Sequence, residues 1–416
     1  MNQRLPFLMA NAAPANIRAV EQPLQKGVAA CFLAGVCTYL NMYATQPLLP
    51  LFQRLFHASE LEVSLTVSAT ILGVALAAPI VGLIAESIGR KKVIVPCLYA
   101  LAVPTLLAAT SRNLDELVLW RFMQGLLVPG IVAVIIAYIG EEFAGPHVGR
   151  AMSAYVTGTV LGGFGGRYMS GLISNRLRWQ DAFLCIALVD LLGATVLLRS
   201  LPSPQHFART RDWRQSRAGM LEHLHNGRLI AVFGMAFSIL FAHVGVFTYV
   251  NFHLGRPPYN LNPEQLGMVF LVYLLGLAVT PFSGRLLDRF GLRRTALLAF
   301  ALSAGGLLLT LASQLWLIIA GLALFSSGVF SFQAAGTVQT GVIAGRARST
   351  AAGLYLTFYY VGGSLGGLVT DWPWLSGGWR ACVYVLLCMT GMALLMGFLS
   401  SAAGNVRMAR PISHKG

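Results

Sequence analysis

Four ionisable residues fall inside stretches that are otherwise apolar for membrane-spanning lengths: Arg121, Arg167, Asp190 and His243. Each is expensive in hydrocarbon, so each is read as functional by default. Asp190 is the carboxylate near the middle of its apolar run. It can release and regain a proton at accessible pH, whereas Arg cannot. Asp190 is therefore the chemical candidate for a proton carrier, with a permanent charge pair to Arg121 or Arg167 as its other reading. His243 titrates near neutrality without help. It shares a helical face with Phe247 and Asn251, where the plainer reading is a satisfied hydrogen-bonding residue.

Long apolar elements must position these groups. The chain is 56% hydrophobic and only 11% charged, with a mean hydropathy of +0.67, so its solvent is mostly lipid. Spans are expected near 27–51, 62–86, 93–110, 115–140, 149–174 and 180–198, then near 229–254, 264–284, 295–312, 315–342, 349–371 and 379–402. No alternating barrel pattern appears, and backbone groups in hydrocarbon must pair within their own segment, so the spans are helices. A net charge of +15 would suggest nucleic acid for a soluble protein, but 22 of the 30 Lys and Arg fall in alternate connections and both tails. That bias puts both termini in the cytoplasm and makes anionic membrane lipid, not nucleic acid, the counter-charge. The expected organisation is a tail at 1–26, a six-helix bundle at 27–200, a linker at 201–227, a second bundle at 228–402 and a tail at 403–416. The linker holds Pro202, Pro204, Arg209 and Arg211 and is expected to carry a short amphipathic helix on the membrane surface. Six cysteines (Cys31, Cys37, Cys97, Cys185, Cys382, Cys388) all lie in apolar runs and read as buried free thiols.

Between the second and third spans stand Gly82, Glu86, Gly89 and Arg90, followed by Lys91 and Lys92. A displacement of 202 positions reproduces the pattern as Gly284, Asp288 and Gly291, followed by Arg293 and Arg294. Gly89 and Gly291 suit the left-handed conformation that a sharp reversal needs. Trp179 and Trp379 open the sixth and twelfth spans, and Gly162, Gly163 and Gly166 recur as Gly362, Gly363 and Gly366. The chain is a duplicated pair of halves.

This repeated Gly-x-x-x-acid-x-x-Gly-basic turn resembles the loop motif of the major facilitator superfamily. The resemblance implies an all-α membrane protein with twelve transmembrane helices in two pseudo-symmetric six-helix bundles around a midplane cavity. Tyr43, Gln46 and Pro47, together with Gly165-Gly166-Arg167, look like the bacterial YnfM-like and sugar- and drug-efflux-like permease branch. Arg121, followed by Gln124, resembles the superfamily's fourth-helix motif, whose Arg is linked to proton coupling. The implied activity is proton-coupled secondary transport in a bacterial inner membrane by a monomer, most simply efflux of small organic or amphipathic molecules by antiport. The alternative is proton-coupled uptake of an organic anion held by Arg121 and Arg167, and a second alternative is a receptor or lipid-handling protein that moves no solute.

Helical spacing marks a cavity wall of Tyr39, Tyr43 and Gln46, with Asn41 beside them, and of Tyr355 and Tyr359 in the eleventh helix. Gln124, Phe247 and Asn251 complete the expected lining, which suits an amphipathic organic substrate. Gly158, Gly162 and Gly166 share one face and are expected to slide against a helix of the other half. Glu86 and Asp288, with Arg90 and Arg293, are expected to latch the cytoplasmic gate while the cavity faces outward. No phosphate-cradling loop, catalytic constellation, cofactor site or metal-ligand spacing is found, so the chain reads as a transporter and not an enzyme.

Overall fold

Residues 14–143, 146–201, 220–344 and 348–401 are described by a computed structural model, and every regular element among them is a helix. The first half runs α1 (Pro14–Met42), α2 (Leu49–Phe56), α3 (Glu60–Ile88), α4 (Lys91–Ala109), α5 (Leu114–Leu127), α6 (Pro129–Glu142), α7 (Pro146–Arg176) and α8 (Trp179–Ser200). The second runs α9 (Gly227–Leu254), α10 (Pro263–Val269), α11 (Leu275–Leu309), α12 (Leu315–Ile343), α13 (Arg348–Val369) and α14 (Asp371–Ser401). Several passes are composite. α1, a 3₁₀ turn at Gln46–Leu48 and α2 make the first, α5 and α6 the fourth, and α10, a 3₁₀ turn at Phe270–Leu274 and the start of α11 the eighth. The expected linker helix and both tails fall largely outside the described residues.

Local chemistry sets the ends. Ser59 and Asn262 open α3 and α10 with capping boxes to Glu62 and Gln265, and Asn113 caps α5. Both repeated turns take the positive φ that glycine allows, Gly89 at φ 101° and Gly291 at φ 76°, but with ψ of 142° and 174° in place of the expected left-handed helical values. Pro47 and Pro50 break the first pass: Gln46 N–H turns to Tyr43 O, and the carbonyl of Met42 loses its helical donor.

Within each half the pairing is equivalent: α1 packs on α7 and α9 on α13, while the halves meet where α3 touches α13 and α10 touches α7. The glycine stripe corrects an expectation. Gly158, Gly162 and Gly166 face the carbonyls of Phe32, Val36 and Leu40 on α1, inside their own half, and Gly362 and Gly366 face Phe237 and Phe241 of α9 in the same way. The close approaches between halves come instead from Gly171 against Pro263, Gly267 against Arg167 and Tyr168, and Gly367 against Ser68. Because Gly162 meets backbone that cannot rotate away, Gly162→Val is expected to cost about 1–3 kcal/mol, read as a lower Tm in detergent.

Leu188, Leu192, Trp316, Trp372 and Leu375 are exposed, as a lipid-facing surface requires. Cys31, Cys37 and Cys382 are buried, but Cys185 and Cys388 are exposed and Cys97 only half-buried, so the expectation of six buried thiols holds for three.

Candidate functional site

Two buried polar constellations lie on either side of the broken segment of α1, and a set of ties between halves closes one end of the bundle. The first constellation sits inside the first half. Arg121, Gln124, Thr105 and Asp190 are fully buried and Asn41 nearly so. Arg121 gives Nη2 to the stranded Met42 carbonyl at 2.7 Å, Nη1 to Asn41 O at 2.8 Å and Nε to Thr66 O at 3.0 Å. Its Nη1 also reaches Gln124 Oε1, Gln124 Nε2 donates to Thr105 Oγ1 at 2.8 Å, and Thr105 Oγ1 donates to Asn41 Oδ1 at 2.9 Å. Asn41 Nδ2 ends the chain, 2.9 Å from both carboxylate oxygens of Asp190.

Asp190 therefore has no cation at hand. The charge pair with Arg121 or Arg167 does not form among the described residues, and three neutral side chains stand between Asp190 and Arg121. The Asn41 amide meets both oxygens, and protonation of either one would leave only the other to accept. Asn41 and Gln124, expected in the cavity wall, belong to this core network. α1 turns Asn41 towards α8 and α4, while the ring of Tyr43, two residues on, lies under the Arg167 guanidinium of α7.

The second constellation lies on the seam between halves. The Arg167 guanidinium reaches back one turn along α7, donates Nη1 to Gly163 O at 2.5 Å, and gives Nε to Gln46 Oε1 at 2.7 Å. Rings cover its faces: its Cζ lies 4.4 Å from the centroid of Tyr43, 4.6 Å from Phe270 and 4.7 Å from Tyr273. Phe270 and Tyr273 both reach it because the 3₁₀ turn places residues three apart on one face. His243 packs against Phe247 and Tyr273, each 5.1 Å between centroids, and its Nδ1 has no hydrogen-bond partner among the described residues. Tyr355 and Tyr359 stack 6.1 Å apart, and Tyr359 meets Tyr360 edge-on at 5.4 Å. Half-buried Tyr39 fits a cavity wall. Asn251 does not, because its Nδ2 is spent on Phe247 O of its own helix.

At the end that carries the α2–α3 and α9–α10 connections, the halves are clasped. Glu60 accepts from Arg256 Nη2, Arg54 reaches Gly255 O, and Glu264 of α10 meets Asn175 and Arg176 of α7. Deeper in the seam Ser364 Oγ donates to Ser68 O at 3.0 Å. The basic end differs. Arg90 makes a two-toothed bond to Glu141 of its own half, Arg293 donates to Ser401 of its own half, and exposed Asp288 has no ion pair among the described residues. The side chain of Glu86 lies outside the described residues. Arg256 is half-exposed, so breaking its pair with Glu60 is expected to cost about 1 kcal/mol. Glu60→Gln should then raise the labelling rate of Ser68→Cys by an impermeant thiol reagent about fivefold.

The sequence profile of the Major Facilitator Superfamily matches residues 31–259 and again 253–411, once per half. The uncharacterized transporter YybF of Bacillus subtilis is 32% identical over 93% of this chain and 96% of its own length. The inner membrane transport protein YnfM of Escherichia coli is 30% identical over 88% of each chain. Among solved structures, a bacterial homologue of the human lysosomal transporter Spinster, in an inward-facing and occupied conformation, superposes with a TM-score of 0.73 at 13% identity, covering 95% of this chain and 98% of that one. Two profile matches in tandem, relatives that span nearly the whole chain, and described helices that join into twelve passes in two equivalent bundles give one conclusion: the protein is a membrane transporter of the Major Facilitator Superfamily.

Proposed function

We propose that this chain is a proton-coupled secondary transporter that exports small organic or amphipathic molecules by antiport through alternating access. In this reading it works as a monomer in a bacterial inner membrane, with both termini and the basic end in the cytoplasm. The clasped end then faces outward, and the ties that close it fit a state that opens towards the cytoplasm. Glu86 and Asp288 serve as the cytoplasmic latch, engaged once the clasp lets go. Tyr39, Tyr355 and Tyr359 form part of the substrate wall.

The observation that carries the coupling is the wiring of α1. Asp190 holds Asn41 in the turn before the break, and Arg121 holds the carbonyls at its start. Ser170 of α7 donates to Ala44 O at 2.6 Å, and Gln46 holds Arg167 at the seam. Protonation of Asp190 removes the charge that orders Asn41, and the change passes through this segment to the contact between halves. Proton binding and seam opening thereby share one element, as coupling of two sites requires.

Proteoliposomes loaded with a pH-sensitive dye test the reading. Sugars, carboxylates and lipophilic cations are supplied in turn under an imposed pH gradient. Antiport predicts that one class drives protons in the opposite direction to itself. Protons moving with the solute, or no response to any class, would contradict it.

A further inference from the structure

Arg121 and Arg167 are both buried guanidinium groups, but their surroundings differ in one respect. All three nitrogens of Arg121 donate to protein oxygens. Arg167 spends Nε and Nη1 on Gln46 and Gly163, and its Nη2 has no hydrogen-bond partner among the described residues. No carboxylate lies within ion-pair distance of it among the described residues. Two neighbours are also unsatisfied: the Tyr273 hydroxyl and His243 Nδ1 are buried without a hydrogen-bond partner among the described residues. The Tyr273 ring lies between the two groups, 5.1 Å from the His243 ring and 4.7 Å from Arg167 Cζ. A positive edge and an idle hydroxyl are thus gathered inside aromatic walls.

We infer that this box takes the charged end of the substrate, and that the substrate is an organic monoanion with a flat apolar body, an aromatic carboxylate being the simplest form. The inference rests on the transport reading and names the chemistry of its cargo. A guanidinium edge and a hydroxyl match the two oxygens of a carboxylate, whose charge offsets that of Arg167. The body of the ligand then lies against rings that already pack on one another, with Phe247 and Phe325 on the His243 side. The guanidinium reaches back along α7 towards Gly163 and half-buried Tyr39, so the anion is taken to approach from the basic end, which the ties between halves leave unclasped among the described residues. A purely structural clasp between Arg167 and the rings of the other half is the competing account. It requires no free donor and gives no preference for anions.

Ligand-induced thermal stabilisation of the protein in lipid nanodiscs separates the two. The probes are benzoate and 2-naphthoate, their primary amides, and benzylammonium. Carboxylates are expected to raise Tm in a saturable manner, with amides and ammonium inert. Arg167→Gln should weaken carboxylate binding by about tenfold or more, and Arg167→Lys less, as a point charge replaces a fork. Tyr273→Phe, which keeps the ring and removes only the hydroxyl, should weaken it about three- to tenfold. Should Arg167→Gln fail to fold, the Lys and Phe variants carry the decision. Equal stabilisation by amides or ammonium, no binding of either carboxylate, or wild-type affinity in both Arg167→Lys and Tyr273→Phe would overturn the inference. No gradient is present in this assay, so its outcome is independent of whether protons are coupled.

Discussion

Asp190→Asn is expected to abolish accumulation driven by a pH gradient while leaving substrate exchange at equal pH intact. The amide is isosteric and still offers one oxygen to Asn41 Nδ2, so the core network around Thr105 and Gln124 keeps its shape. What disappears is the ability to exist as an anion and as an acid. Without two protonation states, the proton has no differential interaction with the two arrangements of α1, and its gradient cannot bias them. Gradient-driven flux should fall by about ten- to a hundredfold, the span of ordinary coupling free energies. Counterflow of labelled against unlabelled substrate should fall far less. Wild-type accumulation by the Asn variant would place the proton elsewhere. His243 would then come first, because its ring sits on the seam with an unsatisfied nitrogen.

Arg121→Met is the substitution with the largest expected effect on stability. Methionine fills much of the volume, but it leaves the Met42 carbonyl buried without a donor and removes charged donors from Asn41 O, Thr66 O and Gln124. Hydrogen bonds from a charged group contribute about 1.5–3 kcal/mol each, and a stranded buried carbonyl costs a further 1–3. Allowing for relaxation, the loss is on the order of 3–5 kcal/mol. Arg121→Lys should recover only part of it, since one ammonium cannot reach carbonyls on α1 and α3 together. Thermal unfolding in detergent measures both, and an unchanged Tm in Arg121→Met would show that the break in α1 needs no such brace.

Much of this was legible in the sequence because it is local. Gly89 and Gly291 announce reversals through their own backbone freedom, and the cations that follow come from neighbouring positions. Asp190, Arg121, Arg167 and His243 stand out because each interrupts an apolar run. Partners were not legible. The spacing of Asn41 put it beside Tyr39 and Tyr43, yet a residue on the flank of a helix can turn to either neighbour, and this one turns into its own bundle. The stripe of Gly158, Gly162 and Gly166 reveals that a backbone comes close, but not which one; it is α1. Phe270 and Tyr273 went unnoticed as Arg167 partners because no proline within 270–274 marks the 3₁₀ turn that aligns them. The Glu60–Arg256 tie joins residues 196 positions apart, and no local pattern encodes it.

Two bundles that rock about a shared seam should show it as a distance. Spin labels at Arg112→Cys and Ser313→Cys, exposed loop positions in the two halves at the clasped end, report their separation in nanodiscs with the native cysteines replaced. A short separation is predicted to dominate at rest, with a longer one gaining population when Glu60→Gln loosens the clasp and shifting again with Asp190→Asn. One fixed separation, unmoved by either substitution, by pH or by substrate, would contradict alternating access between the halves.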